Sequence, residues 1–382
     1  MPIKPYGIAA LALATALSIT ASQAANAAPL GNDLPAALSS AKMVGALDSN
    51  RRITVALTLP LGDAAGAADF VAHATKRGDP LFRHWLTPQE FAARFGANVA
   101  GYQVVADWAR SQQLELGEAS SSRTVLTASG TAAQIEAAFG VRMMNFSAPD
   151  GYAFFSADRA PTLPAEIARH VTGLVGFSNH TRYPTLYKIK SANTVGMASG
   201  TGPGGGYSAA DIRSIYTIDP QTPATPSQTV AVYEEGGFFQ SDIDTYIKYN
   251  KLPNVPASVR GVNGYGGGVN DLGVEIEAVL DIDMVIGTNP AVKRVLVYED
   301  GADSFQVSLL SSLSAMATDN KAKTISISYG LDESQQGAAQ IAAENTLFTQ
   351  LAAQGQAVFV SSGDQGAYGR SGFGLNAPDP GS

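Results

Sequence analysis

The chain has 382 residues, 45% of them apolar and only 15% charged, with a net charge of −8 and no cysteine. That length holds two domains with cores of their own, and the apolar share excludes a disordered chain. The lack of cysteine excludes disulfides, thiolate metal sites and cysteine nucleophiles.

Lys4 precedes the apolar run from Ile8 to Leu17, and the small residues Ala25-Asn26-Ala27 follow it. A basic start, an apolar run too short to span a bilayer and an A-x-A site predict a signal peptide over residues 1–27. Removal is expected near Ala27 or Ala28, which makes the chain a secreted one, extracellular or periplasmic. Nothing downstream has the length and hydropathy of a membrane span. Residues 28–177 then read as a mixed α+β unit. Ile53 to Leu59 alternates as a strand does, and Asp63 to Arg77 reads as a helix. Thr87 with Pro88 opens a second helix, Thr87 as N-cap and Pro88 where a missing N–H costs nothing; Gly96 closes it. A helix from about Val99 to Gln113, a strand at Arg123 to Thr127 and a helix at Ala132 to Phe139 follow. Strands around Val141 to Phe146 and Tyr152 to Phe155 complete a unit that ends near Phe177.

Residues 178–206 form a candidate linker ending in Gly200-Thr-Gly-Pro-Gly-Gly-Gly206, a run expected to stay unpacked and open to proteolysis. No Gly-Lys-Ser/Thr follows it, so it is not a phosphate loop. From Tyr207 the pattern changes. Helices at Ser208 to Tyr216, Ser241 to Asn250, Gly273 to Ile286, Ser304 to Asp319 and Ser334 to Ala353 alternate with apolar strands. Those strands run Gln228 to Tyr233, Val292 to Tyr298, Thr324 to Ser328 and Ala357 to Ser361. Alternation of this kind predicts a parallel sheet covered on both faces, with ligands bound beyond its carboxyl strand ends.

Charge divides at the same place. Residues 201–382 carry 20 acidic and 9 basic groups, a net of −11, whereas residues 1–200 carry 13 and 16, a net of +3. An acidic half argues against nucleic acid as a partner. Opposite signs favour docking of the two units, an attraction that weakens as carboxylates protonate.

The histidines are His73, His84, His170 and His180, so the second half has neither histidine nor cysteine. Hydrolytic chemistry there would run on carboxyl groups. Glu277 and Asp281 lie four apart on a predicted helix and share one face. Two close carboxyls do not both ionise easily, so the pair titrates as a unit and Glu277 can act as a base that Asp281 orients. The plain alternative is a solvated helix face. Asp364 follows a predicted strand between Gly363 and Gln365; protonated, it would donate to an oxyanion, and otherwise it is a turn aspartate. Glu234 ends the first strand of this half, either as an auxiliary acid or as a strand-end residue. His84-Trp85 reads as a packed histidine and a core tryptophan. No His/Asp/Glu spacing suggests zinc.

Together these features resemble the sedolisin family of serine-carboxyl peptidases, specifically kumamolisin-like members with an activation prodomain. In the first unit the resemblance rests on His84-Trp-Leu-Thr-Pro-Gln-Glu-Phe91, Arg94-Phe-Gly96, Ala138-Phe-Gly-Val141 and Leu163-Pro164 through Val171-Thr-Gly-Leu-Val-Gly176. In the second it rests on Gly206 to Tyr216, Gln228-Thr-Val-Ala-Val232, Glu277-Ala-Val-Leu-Asp281 and Ser362-Gly-Asp364. The resemblance implies an α+β, ferredoxin-like prodomain over 28–177, a linker with the activation cleavage over 178–206, and the N-terminal part of a subtilisin-like catalytic domain over 207–382. It implies Glu277 as general base, Asp281 as its orienting carboxyl, Asp364 as the oxyanion-stabilising acid and Glu234 as an auxiliary acid. Tyr329, in Ser326-Ile-Ser-Tyr-Gly330, departs from a pattern that often has tryptophan. The family's nucleophile, a serine in a Gly-Thr-Ser motif, and its calcium ligands belong downstream of Ser382. The chain is therefore expected to stop within the catalytic domain.

The expected function is that of a secreted, acid-acting serine-carboxyl endopeptidase zymogen. Its partners would be a protein or peptide substrate and its own docked prodomain, with no nucleic acid and no membrane. The alternative is a non-catalytic secreted protein whose prodomain serves as a folding aid or a peptidase-binding module.

Overall fold

A computed structural model describes residues 34–181, 200–218, 228–269, 272–330 and 336–362, with the backbone of 27–29. The first unit contains strands β1 (Ala27–Pro29), β2 (Lys42–Ala46) and β3 (Arg52–Thr58), then helices α1 (Ala64–Thr75), α2 (Pro88–Arg94) and α3 (Val99–Ser111). It continues with β4 (Glu115–Leu116), β5 (Val125–Thr131), α4 (Ala132–Phe139), β6 (Met143–Ser147), β7 (Ala153–Ala157), β8 (Thr162–Pro164), α5 (Ala165–Ala168) and β9 (Gly173–Val175). Local chemistry sets the helix starts. Thr87 and Glu90 close a capping box on α2, with Pro88 in the first turn; Thr131 and Gln134 do the same for α4. Gly140 ends α4 in the left-handed region, at φ 67°.

Two antiparallel sheets result, one ordered β4-β5-β3-β9 and the other β2-β6-β7. Ile53, Val55 and Leu57 of β3 face a core shared with Val105 and Ala109 of α3 and Ile135 and Phe139 of α4. Strand β5 runs four residues past its expected end, because full pairing with β3 satisfies its backbone up to Thr131. β1 pairs with β8, Ala27 opposite Pro164, so cleavage near Ala27 or Ala28 would fall within this short ladder.

The second unit comprises α6 (Ala209–Ile215), β10 (Thr229–Tyr233), α7 (Gln240–Tyr249), β11 (Ala257–Val262), α8 (Leu272–Thr288) and β12 (Arg294–Asp300). It ends with α9 (Phe305–Asp319), β13 (Thr324–Ile327), α10 (Ala338–Ala353) and β14 (Ala357–Val360). The strands form one parallel sheet ordered β11-β12-β10-β13-β14. Alternation sorts its two faces. Val295 and Val297 of β12 meet Ile243 of α7 and Ile282 and Ile286 of α8, while Leu296 and Tyr298 meet Leu310 and Leu313 of α9. Sequence reading missed β11, whose Ser258, Val259 and Arg260 are only partly covered; as an edge strand it lacks the apolar run of its neighbours. Helix α10 starts at Ala338, four residues later than expected.

Three expectations need correction. Residues 178–180 belong to the first unit and not to a linker: Asn179 Oδ1 accepts from Phe155 N–H at 2.7 Å, and the His180 ring meets Phe154 edge-on. The glycine run at 200–206 is folded. Gly202 N–H donates to the Gly206 carbonyl at 2.8 Å, and Thr201 N–H donates to Asp211 at 2.7 Å, so the turn is tied to the start of α6. Residues 182–199 of the expected linker lie outside the described residues. Trp85, finally, is no core tryptophan, and His84 is exposed; the Trp85 ring lies over Gly355 of the second unit.

Candidate active site

The sheet of the first unit docks on α9 and α10. Ala56, Val125 and Val175 share one apolar cluster with Leu309, Leu313, Leu347 and Leu351. Gly173 and Gly176 permit this approach, since a Cβ there would strike Ala339 and Val307 at 2.4 and 2.5 Å. Ala353 is received by Phe70, Phe91 and Phe95, and Leu86 N–H donates to its carbonyl at 2.9 Å. Docking is thus largely apolar. The ion pairs that cross the interface do not simply follow net charge. Arg51 meets Asp303 at 3.3 Å in the expected sense, but Glu118 of the first unit takes a forked contact from Arg260 of the second, at 2.6 and 3.1 Å. A small cavity of about 30 Å³ beside that fork, lined by Glu118, Thr127, Arg260 and Asn263, lies away from the carboxyl cluster described next.

Five side chains meet where β10 and β13 end. Register places Tyr233 opposite Ile327, so the residues that follow, Glu234 and Ser328, emerge at one level. Glu277 and Asp281 come from one face of α8, one turn apart, as their spacing required. Glu277 is buried, so this face is not solvated. Ser328 Oγ lies 2.7 Å from both Asp281 oxygens. Tyr329 hydroxyl donates to Glu234 Oε2 at 3.1 Å. Glu234 is fully buried, and its Oε1 finds no donor among the described residues.

The electrostatics follow from burial. Desolvation raises the Glu234 pKa well above the ordinary glutamate value; the Asp281 charge raises it further, Tyr329 opposes, and the Glu277 charge adds to the rise. Burial also raises Asp281, opposed by hydrogen bonds from Ser328 and Glu234. Of the two, Glu234 is the carboxyl that burial and neighbouring charge push further toward its protonated form. Such an arrangement sets Asp281, with Ser328 as its donor, one helical turn from Glu277.

Of the residues singled out in the sequence, Glu277, Asp281 and Glu234 come together. Asp364 lies outside the described residues. Tyr329 keeps a donor where the resembled pattern often has tryptophan. Sequence reading missed Ser328 as a member of the cluster; its place at the carboxyl end of a parallel strand was the available signal. Further buried acids also escaped it. Glu235 is pushed up to about 7 by burial, Glu299 to about 7 by burial alone, and Asp283 to about 8 by burial with the Asp242 charge.

Residues 39–180 match the model of the pro-kumamolisin activation domain. Over 344 residues the chain is 29% identical to xanthomonalisin of Xanthomonas sp. (strain T-22), a match covering 85% of this chain and 41% of that protein. It is 26% identical to sedolisin of Pseudomonas sp. (strain 101), over 82% of this chain and 54% of the relative. It is 25% identical to kumamolisin of Bacillus sp. (strain MN-32), over 84% and 58%. The chain thus spans about half the length of these relatives.

Proposed function

Because this chain belongs to the sedolisin family, whose members are serine-carboxyl peptidases, we propose that it is the prodomain and the first part of the catalytic domain of a secreted, acid-acting endopeptidase zymogen. The observation that carries this reading is the joining of Glu277, Asp281 and Glu234 in one buried cluster at the carboxyl strand ends of a parallel sheet. In the complete enzyme a serine outside this chain attacks the peptide carbonyl. Glu277 accepts its proton, Asp281 orients Glu277, and protonated Asp364 donates to the oxyanion. Glu277 must be ionised while Asp364 is protonated, so activity peaks at acid pH.

The elements β3, α3, β4, β5, α4 and β9, with α1 and α2 and then β6 to α5 inserted among them, and their sheet order β4-β5-β3-β9 support the ferredoxin-like reading of the prodomain. The covered parallel sheet supports a subtilisin-like catalytic unit. Secretion rests on the signal-peptide pattern of residues 1–27; among the described residues no helix is long and apolar enough to cross a membrane. Activation cleavage falls past residues 178–180, which pack on β7, and before the start of α6. Among the described residues no group of three or more His, Asp or Glu comes together to hold a metal.

The test is to extend the chain through its reading frame, express it and follow casein cleavage from pH 2 to 8, with Glu277→Ala beside it. Acid-peaked cleavage that the substitution abolishes supports the reading. A stop directly after Ser382, or cleavage indifferent to Glu277, turns the assignment to the non-catalytic secreted protein.

A further inference from the structure

We propose that Ser328 is a positioning residue of the carboxyl cluster: its hydroxyl pins both oxygens of Asp281 and keeps Asp281 the acceptor in its contact with Glu234. The proposal rests on the reading of Glu277 and Asp281 as a working acid pair.

Three observations carry it. First, Ser328 Oγ stands 2.7 Å from Oδ1 and 2.7 Å from Oδ2. One hydroxyl proton shared between two oxygens orients the whole carboxylate plane, which a contact to a single oxygen does not. Second, the donors come in adjacent pairs. Ser328 serves Asp281, and its neighbour Tyr329 serves Glu234. Both leave the end of β13, so one strand end sets the geometry of two carboxyls contributed by β10 and α8. Third, no cation faces Asp281 among the described residues. The groups that act on it are Ser328 from the end of β13 and Glu234 from the end of β10; Glu277 lies one turn away on its own helix, and Tyr329 serves Glu234. Asp283, two residues on, faces Asp242 instead. Without a cation, hydroxyl donation is what favours the ionised form of Asp281 there. Remove it and Asp281 loses the donor that makes it the better acceptor of the pair.

The experiment uses the full chain and needs no substrate, so its outcome is separate from the casein assay. Thermal unfolding is followed at pH 3 and pH 7 for wild type, Ser328→Ala, Ser328→Thr, Asp281→Asn and the double variant Ser328→Ala with Asp281→Asn. Ser328→Ala is expected to lower Tm by about 3 °C more at pH 7 than at pH 3, because the hydroxyl matters chiefly to the anion. Ser328→Thr restores the wild-type value. In the Asp281→Asn background the pH dependence of the Ser328→Ala loss disappears. If Ser328→Ala does not fold, Ser328→Cys, close in size and a weaker donor, carries the same comparison. A loss equal at both pH values, or one whose pH dependence persists in the Asp281→Asn background, overturns the proposal.

Discussion

Glu234 and Glu235 are neighbours in the chain yet serve separate buried networks. Glu234 accepts from Tyr329 and faces Asp281 on α8; Glu235 is hydrogen-bonded to Tyr233 and faces Ser308 on α9. The carboxyl end of β10 thus sends one acid into the candidate site and the other behind it.

The buried acids tie stability to pH. Glu235 and Glu299 are each raised from 4.5 to about 7, with burial the leading cause. A carboxyl raised on folding binds more protons in the folded state. Its contribution is fully present below about pH 4.5 and is lost as pH rises through about 7. Each shift corresponds to on the order of 3 kcal/mol. Tm should fall steadily between pH 4.5 and 8, and Glu299→Gln should flatten that fall; calorimetry across the range checks both.

The Glu118–Arg260 fork works in the opposite sense. The hydrogen bond from Arg260 lowers the Glu118 pKa, so its stabilisation is present above about pH 4.5 and is lost as pH falls through the depressed value. A double-mutant cycle of Glu118→Gln and Arg260→Met should give a coupling of about 1 kcal/mol at pH 7 and none at pH 2.5. Persistent coupling in acid would exclude this pair as a pH-dependent contact between the two units.

Tyr329 is the buried donor to Glu234. Tyr329→Phe should cost about 1–3 kcal/mol, because Glu234 then loses that partner in a dry site. In a Glu234→Leu background the same change should cost little. Denaturant unfolding of the four variants measures the difference.

Gly355 adopts φ +68°, and a Cβ there would meet the Trp85 ring at 2.6 Å. Gly355→Ala should lose more than the about 1–2 kcal/mol of the left-handed backbone alone. Adding Trp85→Ala should recover the clash and leave the backbone share. Equal losses with and without the indole would place Trp85 elsewhere.

Much of the fold was legible because its cause is local. The capping residues Thr87 and Ser208 mark helix starts within a turn, and the alternation of helices with apolar strands after Tyr207 marks the parallel sheet. Short strands such as β4 and β9 were not legible, since pairing with β5 and β3 makes them strands and their composition does not. Trp85 was misread for a related reason. Its sequence neighbourhood does not reveal that its ring stays partly exposed and rests on Gly355 of the second unit. The glycine run at 200–206 was read as unpacked because nothing nearby in sequence revealed Asp211 as its anchor.

For the candidate site, sequence alone determined that chemistry in the second half would use carboxyls, and that Glu277 and Asp281 share a helix face. Both conclusions need only residue types and a helical period. Tertiary structure alone decided that Ser328, 47 residues from Asp281, and Tyr329, 95 residues from Glu234, supply the cluster with donors. The physical reason is register: pairing β13 beside β10 aligns two strand ends that no local pattern connects, and burial makes each donor to those carboxyls matter.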